Sequence, residues 1–297
     1  WLLCPHARKC RPRPRRKTIK TINGVTLIEV LKKIWRPIYR NRRPIKRLIR
    51  KWKVSKVSQT ALNVEQTKRF KDLGLDWLEA RQEVEKLLGK NTDVSSHRSE
   101  HYELLMAISK SHRPKRILEI GTAEGDFTTF LATVFPDAEI ETIDLPSSDS
   151  RFWNATTDLV STKKAKIVHS EIDQRDAKLS KFSNIRFRET NSLSLTFQES
   201  DKYDLIWVDG DHTYPVVSVD IANALRLLNA GGMLGFDDIY ETPQTNYEWV
   251  GQESYETLVQ FEKAGLVDFK LILKKLFPEK NYDKKSQKFI ALATRTK

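Results

Sequence analysis

Residues 117–132 read ILEIGTAEGDFTTFLA, and this stretch decides the fold. A short apolar run leads into a loop with two glycines, Gly121 and Gly125. The segment after the loop has apolar residues at positions i, i+3, i+4 and i+7, as one face of a helix requires: Phe127, Phe130, Leu131 and Val134. A strand, a glycine turn and a helix in this order predict the place where doubly wound α/β folds bind nucleotides.

The charges of this loop indicate which nucleotide it binds. A dinucleotide needs a third glycine and a helix N-terminus open to its pyrophosphate. Here Glu119, Glu124 and Asp126 surround the loop with negative charge. Asp144 ends the next apolar run, 23 residues after Gly121, where an acid can accept both ribose hydroxyls. The pattern therefore favours a nucleoside ligand that has no phosphate and carries positive charge.

Seven apolar runs after Pro114 alternate with amphipathic segments and predict a Rossmann-like, doubly wound α/β sheet that is mostly parallel, with the last strand antiparallel. Helical patterns at Thr60–Leu88 and Ser99–Ser109 precede the sheet. We expect a basic, flexible tail at 1–58, a helical lead-in at 59–112 and the sheet domain at 113–297. The predicted strands are Arg116–Ile120, Glu139–Ile143, Ile185–Arg188, Tyr203–Val208, Met233–Phe236, Val267–Leu273 and Lys288–Ala293.

The N-terminal tail holds the excess of positive charge. Residues 1–60 contain 20 Lys or Arg and one acid, Glu29, whereas the remaining chain has a net charge of −6. Short basic amphipathic pieces at Val25–Trp35 and Ile45–Trp52 suit an anionic membrane surface, and RNA is a further candidate with Trp35, Tyr39 and Trp52 as stacking groups. A disordered, solvated tail explains the same composition.

Cysteine usage and hydropathy indicate the compartment. Cys4 and Cys10 are the two cysteines, so neither a disulfide framework nor a zinc cage is expected. No apolar run approaches the roughly 18 to 20 residues of a membrane span, and the start lacks the apolar region of a secretory signal. We expect a cytoplasmic protein, with the tail as a peripheral contact to the inner membrane surface.

Acidic residues follow two further apolar runs. Asp209, Asp211 and His212 come directly after one run, and Asp237 and Asp238 end the next, 28 and 29 residues after Asp209. The carboxyl ends of neighbouring parallel strands meet at one edge of a sheet, where such folds place their ligands. Clustered carboxylates are costly unless a cation neutralises them, and an all-oxygen site suits Mg²⁺. Without a metal, Asp209 would orient a ligand and Asp238 would cap a loop.

The stretch EIGTAEG together with Asp144 resembles the signature of class I S-adenosylmethionine (SAM)-dependent methyltransferases. The resemblance covers about the last 185 residues. It implies that Glu119, Gly121, Thr122 and Gly125 form the first SAM loop, that Asp144 binds the ribose and that Asn191 and Ser192 lie near the adenine. SAM fits the charge argument, because it carries an ammonium and a sulfonium.

The acids resemble those of metal-dependent O-methyltransferases, in the branch of macrocin-type sugar methyltransferases and cephalosporin hydroxylase-like proteins (methyltransferase family 24). This resemblance implies that Asp209, Asp237 and Asp238 bind the metal and that Asp211 is the general base. Asp209 would also orient the methionyl end of SAM. His212 is an alternative base because of its pKa near 6.5, and its other explanation is a hydrogen bond to a carboxylate or a helix cap. The run from His212 to Pro215 departs from that branch, which leaves the substrate class open.

Three functions compete on this sequence. The first is metal-assisted O-methylation of a small-molecule, sugar or glycoconjugate hydroxyl. The second is methylation of RNA with the tail on phosphates, although the Asn-Pro-Pro-Tyr type of base-methylating motif is missing. The third is a SAM-fold binding module without activity. Residues 146–184, near whose start Arg151, Phe152 and Trp153 lie, are a candidate lid or acceptor-binding element, or equally a surface excursion. Tyr240 and Trp249 are candidates for the acceptor pocket. The sequence leaves open whether the chain forms oligomers.

Overall fold

The computed structural model divides into two units, residues 1–52 and 53–297. In the first unit, strand β1 (Thr21–Ile22) pairs antiparallel with β2 (Val25–Thr26). Strand β2 contains the first two residues of the predicted basic amphipathic piece Val25–Trp35. The rest of that piece, the piece Ile45–Trp52 and the tail aromatics lie outside the described residues. The structure describes residues 21–22, 25–26, 58–88, 99–149, 172–199, 202–242, 252–276 and 287–296.

A seven-stranded sheet organises the second unit. Its strands in spatial order are β5, β4, β3, β6, β7, β9 and β8, and β9 is antiparallel to both of its neighbours. This confirms the predicted sheet, including its antiparallel last strand. The strands are β3 (Arg116–Ile120), β4 (Glu139–Asp144), β5 (Ile185–Glu189), β6 (Tyr203–Val208), β7 (Leu228–Ile239), β8 (Val267–Leu273) and β9 (Phe289–Arg295).

Strand β7 is much longer than the predicted run Met233–Phe236. It starts at Leu228, which pairs with Tyr203 of β6, and it continues through the two acids to Ile239. Across this pairing, Gly235 lies beside Trp207, and a Cβ at position 235 would come within 2.2 Å of the Trp207 ring. A glycine therefore stands here because the indole of the neighbouring strand fills the space above it.

Helices cover the sheet. The predicted helical pattern Thr60–Leu88 is divided at Gly74, whose φ of +72° stops the first helix, as a residue in the left-handed region does. A helical stretch over 172–179 and a 3₁₀ helix at Ser192–Phe197 lie between β4 and β6. The α-helices are α1 (Gln59–Asp72), α2 (Trp77–Leu88), α3 (His101–Ser111), α4 (Asp126–Val134), α5 (Val216–Leu227) and α6 (Glu253–Lys263).

The lead-in helices are attached to the end of β8. The buried Gln66 side chain of α1 donates to the carbonyl of Leu273 and accepts from its N–H, at 3.0 and 2.9 Å. Trp77 of α2 donates to the Glu100 carboxylate at 2.7 Å, and the Glu100 N–H donates to the carbonyl of Lys274 at 2.9 Å. The lead-in thus fixes the backbone where β8 ends.

No helix in the part of the chain that the structure describes is long and apolar enough to cross a membrane.

Candidate functional site

The order of strands reverses between β3 and β6, and the glycine loop lies at this point. The Gly121 N–H donates to the Ile143 carbonyl at 2.9 Å, and the Asp209 N–H donates to the Ile120 carbonyl at 2.8 Å. Gly121 has a φ of +103°, and a Cβ there would lie 2.2 Å from the Asp209 carbonyl oxygen. The loop after β3 can therefore lie against the end of β6 only because residue 121 is glycine.

Asp144 fixes the conformation of the loop. The Ala123 N–H donates to one oxygen of the Asp144 carboxylate at 2.8 Å, and the Leu145 N–H donates to the other at 2.7 Å. Burial raises the pKa of Asp144, and these two N–H groups oppose the rise by stabilising the carboxylate. A second lone pair on each oxygen is left for other donors. Binding of ribose hydroxyls by Asp144 stays a prediction that this geometry allows.

Two of the predicted loop residues lie beneath the loop. Glu119 is fully buried and accepts hydrogen bonds from the hydroxyls of Thr128 in α4 and Thr142 in β4, both at 2.5 Å. Thr122 is also buried, and its hydroxyl lies 2.6 Å from that of Thr142. Glu119 and Thr122 therefore connect the loop to α4 and β4 from below.

The burial of Glu119 predicts a dependence of stability on pH. Burial raises the pKa of Glu119 to about 8, partly offset by the two threonine hydroxyls. Because the folded chain holds this proton more tightly than the unfolded chain, the free energy of unfolding falls as pH rises from about 4.5 to about 8. The fall is at most about 1.4 kcal/mol per pH unit for one group. Glu119→Gln mimics the protonated carboxyl, so we expect it to gain stability relative to wild type between pH 5 and pH 8.

Urea unfolding of both proteins at pH 5 and pH 8 measures this difference. Glu124→Gln, at an exposed position of the same loop, is the matched control and should show no such pH-dependent gain. An equal stability difference between Glu119→Gln and wild type at both pH values would show that Glu119 is ionised in the folded protein.

Asn191 and Ser192 lie where β5 ends. Asp144 pairs with Glu189 in the parallel register of β4 and β5, so the two residues follow at the same edge of the sheet. The Asn191 side chain caps the 3₁₀ helix by accepting from the Leu193 N–H at 3.0 Å. Contact of Asn191 and Ser192 with adenine stays a prediction. The hydrogen bond to the Leu193 N–H fixes the position of the Asn191 side chain.

A carboxylate–imidazole pair, with the imidazole buried and the carboxylate half-buried, lies beside the glycine loop. His212 Nε2 is 3.4 Å from the Asp209 carboxylate, and the His212 residue is 7% exposed. Burial by itself lowers the pKa of His212, but the hydrogen bond and charge of Asp209 outweigh it, so the pKa is raised above 6.5. Burial and the charge of Asp237 raise the pKa of Asp209 to about 6. The pair can therefore take up and release a proton near neutral pH.

Asp211, the other predicted base, is exposed and bonded within its own loop, and its role as base stays a prediction. One oxygen of the exposed Asp211 accepts from both the N–H and the hydroxyl of Thr213, at 2.9 and 2.6 Å. This is a local turn ahead of α5, of the kind that Asp side chains form in many loops. Of the two predicted bases, His212 is the one that lies against the Asp209 carboxylate.

Asp237 and Asp238 lie in a bulge of β7. The register between β7 and β9 shifts between Phe236 and Ile239, and Asp238 has a φ of +50°. A bulge redirects the side chains of a strand, and the left-handed backbone at Asp238 is a strained conformation of the kind found at functional sites. Both acids are buried, at 3% and 8% exposure, on the side of β7 that continues the edge of Asp209.

Two lysines neutralise these acids. The Lys274 ammonium donates to both Asp237 and Asp238, and the Lys288 ammonium donates to the other oxygen of Asp238 at 2.7 Å. The charges of Asp237 and Asp238 outweigh the desolvation of Lys274 and raise its pKa, and the lysines correspondingly lower the pKa of Asp238 in spite of its burial. Neither lysine was predicted to belong to the site.

The predicted Mg²⁺ site does not fit this arrangement. Both oxygens of Asp238 and one oxygen of Asp237 are bonded to ammonium groups, so Asp209, Asp237 and Asp238 do not form a free set of ligands. Within the described ranges, no group of three or more His, Cys, Asp or Glu is placed to hold a metal ion. The expectation that a divalent cation must neutralise the acids is corrected, because lysines do so.

The positions of Lys274 and Lys288 in the sequence could have indicated that they belong to the site. Lys274 directly follows β8, and Lys288 directly precedes β9. Because β9 runs antiparallel between β7 and β8, the end of β8 and the start of β9 lie at the edge where β7 ends. A predicted antiparallel closing pair therefore implies that residues at this turn meet the acids of β7.

The predicted acceptor-binding residues are described only in part. Tyr240 is buried, and the Lys288 ammonium lies 5.5 Å from the centre of its ring. The opening of the candidate lid, Arg151 to Trp153, and Trp249 lie outside the described residues.

A known family model matches part of this chain. Residues 118–239 match the family model described as "Methyltransferase domain". No curated protein matches the chain.

Several solved structures are similar in fold. The O-methyltransferase TomG from Streptomyces achromogenes, in complex with SAM, is 16% identical with a TM-score of 0.46, over 80% of this chain and 90% of that one. The O-methyltransferase from Bacillus cereus, in complex with SAH, is 18% identical with a TM-score of 0.42, over 65% and 79%. The N-methyltransferase NodS from Bradyrhizobium japonicum WM9 is 20% identical with a TM-score of 0.44, over 67% and 96%. Similarity of this degree does not identify an acceptor.

Proposed function

We propose that this chain, whose residues 118–239 match the family model described as "Methyltransferase domain", is a SAM-dependent methyltransferase that transfers the methyl group of SAM to a hydroxyl oxygen. The acceptor in this proposal is a small molecule, with a sugar or glycoconjugate hydroxyl as the first class to test.

Asp209 carries the proposal, because it connects the glycine loop to a base. The backbone of Asp209 lies against Gly121, and its carboxylate lies 3.4 Å from His212. When Nε2–H of His212 points to Asp209, Nδ1 is the ring nitrogen that can accept a proton. The pairing with a carboxylate orients the imidazole and stabilises the imidazolium that forms, as in other carboxylate–histidine pairs.

A base beside the loop favours oxygen over nitrogen as the acceptor atom. A hydroxyl oxygen becomes a strong nucleophile only as it loses its proton, whereas a neutral amine already has a reactive lone pair. In the proposed step, the acceptor oxygen forms a bond to the methyl carbon and the carbon–sulfur bond breaks. The electron pair of the carbon–sulfur bond moves to sulfur, so that SAM becomes S-adenosylhomocysteine. The hydroxyl proton of the acceptor moves to His212.

Cofactor binding is the first test of this function. We expect wild type to bind S-adenosylhomocysteine (SAH) in calorimetric titration and Asp144→Asn to bind it at least about tenfold more weakly, since hydrogen bonds to a charged acceptor are worth roughly 1.5–3 kcal/mol each. Asp137→Asn is the matched control, because Asp137 is an exposed acid that precedes β4, at its opposite end. Absence of SAH binding by wild type would overturn the proposed function.

Acceptor class is the second test. Incubation of wild type with SAM labelled in the methyl group and sets of sugar, phenol and amine acceptors should transfer label to a hydroxyl compound. Transfer to amines alone would contradict the proposed oxygen acceptor while leaving the SAM site intact.

A further inference from the structure

Lys274 is held in place by the fold and is not a mobile surface lysine. Its side chain is 12% exposed. Its N–H donates to the carbonyl of Lys288 at 3.0 Å, and its own carbonyl accepts from the Glu100 N–H at 2.9 Å. The ammonium therefore stays at the end of β8, where the antiparallel strand β9 brings it to the acids of β7.

The two acids of the β7 bulge already have counter-charges among the side chains. Asp237 and Asp238 are buried and face the two lysines, whereas the half-buried Asp209 lies against His212. The charges of Asp237, Asp238 and Asp209 all act on Lys274. A divalent cation could bind Asp237 and Asp238 together only by displacing the Lys274 ammonium, whose side chain is 12% exposed and which would lose both of its counter-charges. Such a displacement is strongly unfavourable.

We propose that Lys274 and Lys288 occupy the place of a divalent cation in this site, so that the chain binds no metal at Asp237 and Asp238. Lys274 is the positioning residue of this arrangement: it holds the two acids of the β7 bulge beside Asp209. It follows that methyl transfer needs no added metal, and this part of the inference rests on the proposed function. The part about metal binding does not, since metal binding is measured without SAM or an acceptor.

Metal binding by wild type and by a double variant tests the proposal. Wild type titrated with MnCl₂, with free Mn²⁺ followed by electron paramagnetic resonance, should show no binding at millimolar Mn²⁺. Lys274→Met with Lys288→Met removes both ammonium groups and frees the carboxylates, so this variant should gain one bound Mn²⁺ per chain. Adding Asp238→Asn to the double variant should abolish the gain.

Thermal unfolding gives an independent readout. A ligand that binds only the folded chain raises its melting temperature, so Mn²⁺ should stabilise the double variant and leave wild type unchanged. Lys270→Met is the matched control, because Lys270 lies on β8 and pairs with Asp268 at the surface, 3.1 Å away. It should gain no Mn²⁺ binding. If the double Met variant does not fold, Lys274→Gln with Lys288→Gln takes its place, because it also removes both ammonium groups and keeps polar side chains at these positions.

Two results would overturn the inference. One is stoichiometric Mn²⁺ binding by wild type that is lost in Asp238→Asn. The other is a folded lysine variant, confirmed by circular dichroism, that gains no Mn²⁺ binding. Loss of wild-type methyl transfer in EDTA, with recovery on addition of Mg²⁺, would overturn the statement about turnover while the SAH titration still supports the SAM site.

Discussion

Substitution of His212 by Gln is expected to lower kcat for methyl transfer about 100- to 10,000-fold, the usual contribution of a general base. The amide cannot accept the proton of the acceptor hydroxyl, although it can still donate to Asp209. Wild-type turnover should fall as pH falls through the pKa of His212, which is raised above 6.5, because the protonated ring is not a base. This inflection should be absent in His212→Gln. Steady-state rates between pH 5 and pH 9 measure both effects.

Two controls separate the loss of a base from a structural defect. SAH affinity of His212→Gln should stay close to that of wild type, since the imidazole does not belong to the glycine loop. His112→Gln, at the exposed end of α3, should leave both kcat and the pH profile unchanged. A retained pH inflection in His212→Gln would assign the proton transfer to another group and contradict the proposed base.

Gly121→Ala is expected to abolish SAH binding and to destabilise the fold by at least about 4 kcal/mol, the range of severe single substitutions. The new methyl group would lie 2.2 Å from the Asp209 carbonyl oxygen, and the φ of +103° is unfavourable for alanine as well. The chain can relieve this contact only by moving the loop away from β6. Urea unfolding and SAH calorimetry measure the two effects.

Gly74→Ala separates the clash from backbone strain. Gly74 also has a left-handed φ, +72°, but no atom lies within 4 Å of the position of its Cβ. It should therefore cost only about 1–2 kcal/mol, the penalty of a left-handed alanine, and leave SAH binding intact. Equal destabilisation by both substitutions would show that close approach to Asp209 does not determine the glycine at 121.

The sequence predicted the fold well because each strand of the sheet produces a recognisable local pattern in the sequence. Each strand of a doubly wound sheet is a short apolar run, and each loop at its carboxyl end is marked by glycines or acids. Six of the seven predicted strands agree with the structure to within about two residues at each end, which is the usual uncertainty of an element boundary. The exception is β7, whose acids continue the strand through a bulge that has no apolar signature.

The roles of site residues were harder to predict, because they depend on neighbours that are distant in sequence. Glu119 and Asp144 look equivalent as acids after neighbouring strands, yet Glu119 lies under two threonines and Asp144 accepts from the loop N–H groups. Asp211 and His212 are adjacent, and the structure places only His212 against Asp209. Burial and hydrogen-bond partners distinguish such pairs, and neither property is encoded locally.

By itself, the sequence determined the strand–glycine loop–helix unit and the edge of the sheet at which Asp209, Asp237 and Asp238 meet. It also predicted that Asp144 binds the nucleoside. Periodicity and spacing along the chain are enough for these, since they depend on local conformation and on the common direction of parallel strands. The tertiary structure alone decided what neutralises the acids. Lys274 and Lys288 reach Asp237 and Asp238 because β9 runs antiparallel between β7 and β8, which joins charges 36 to 50 residues apart in the chain.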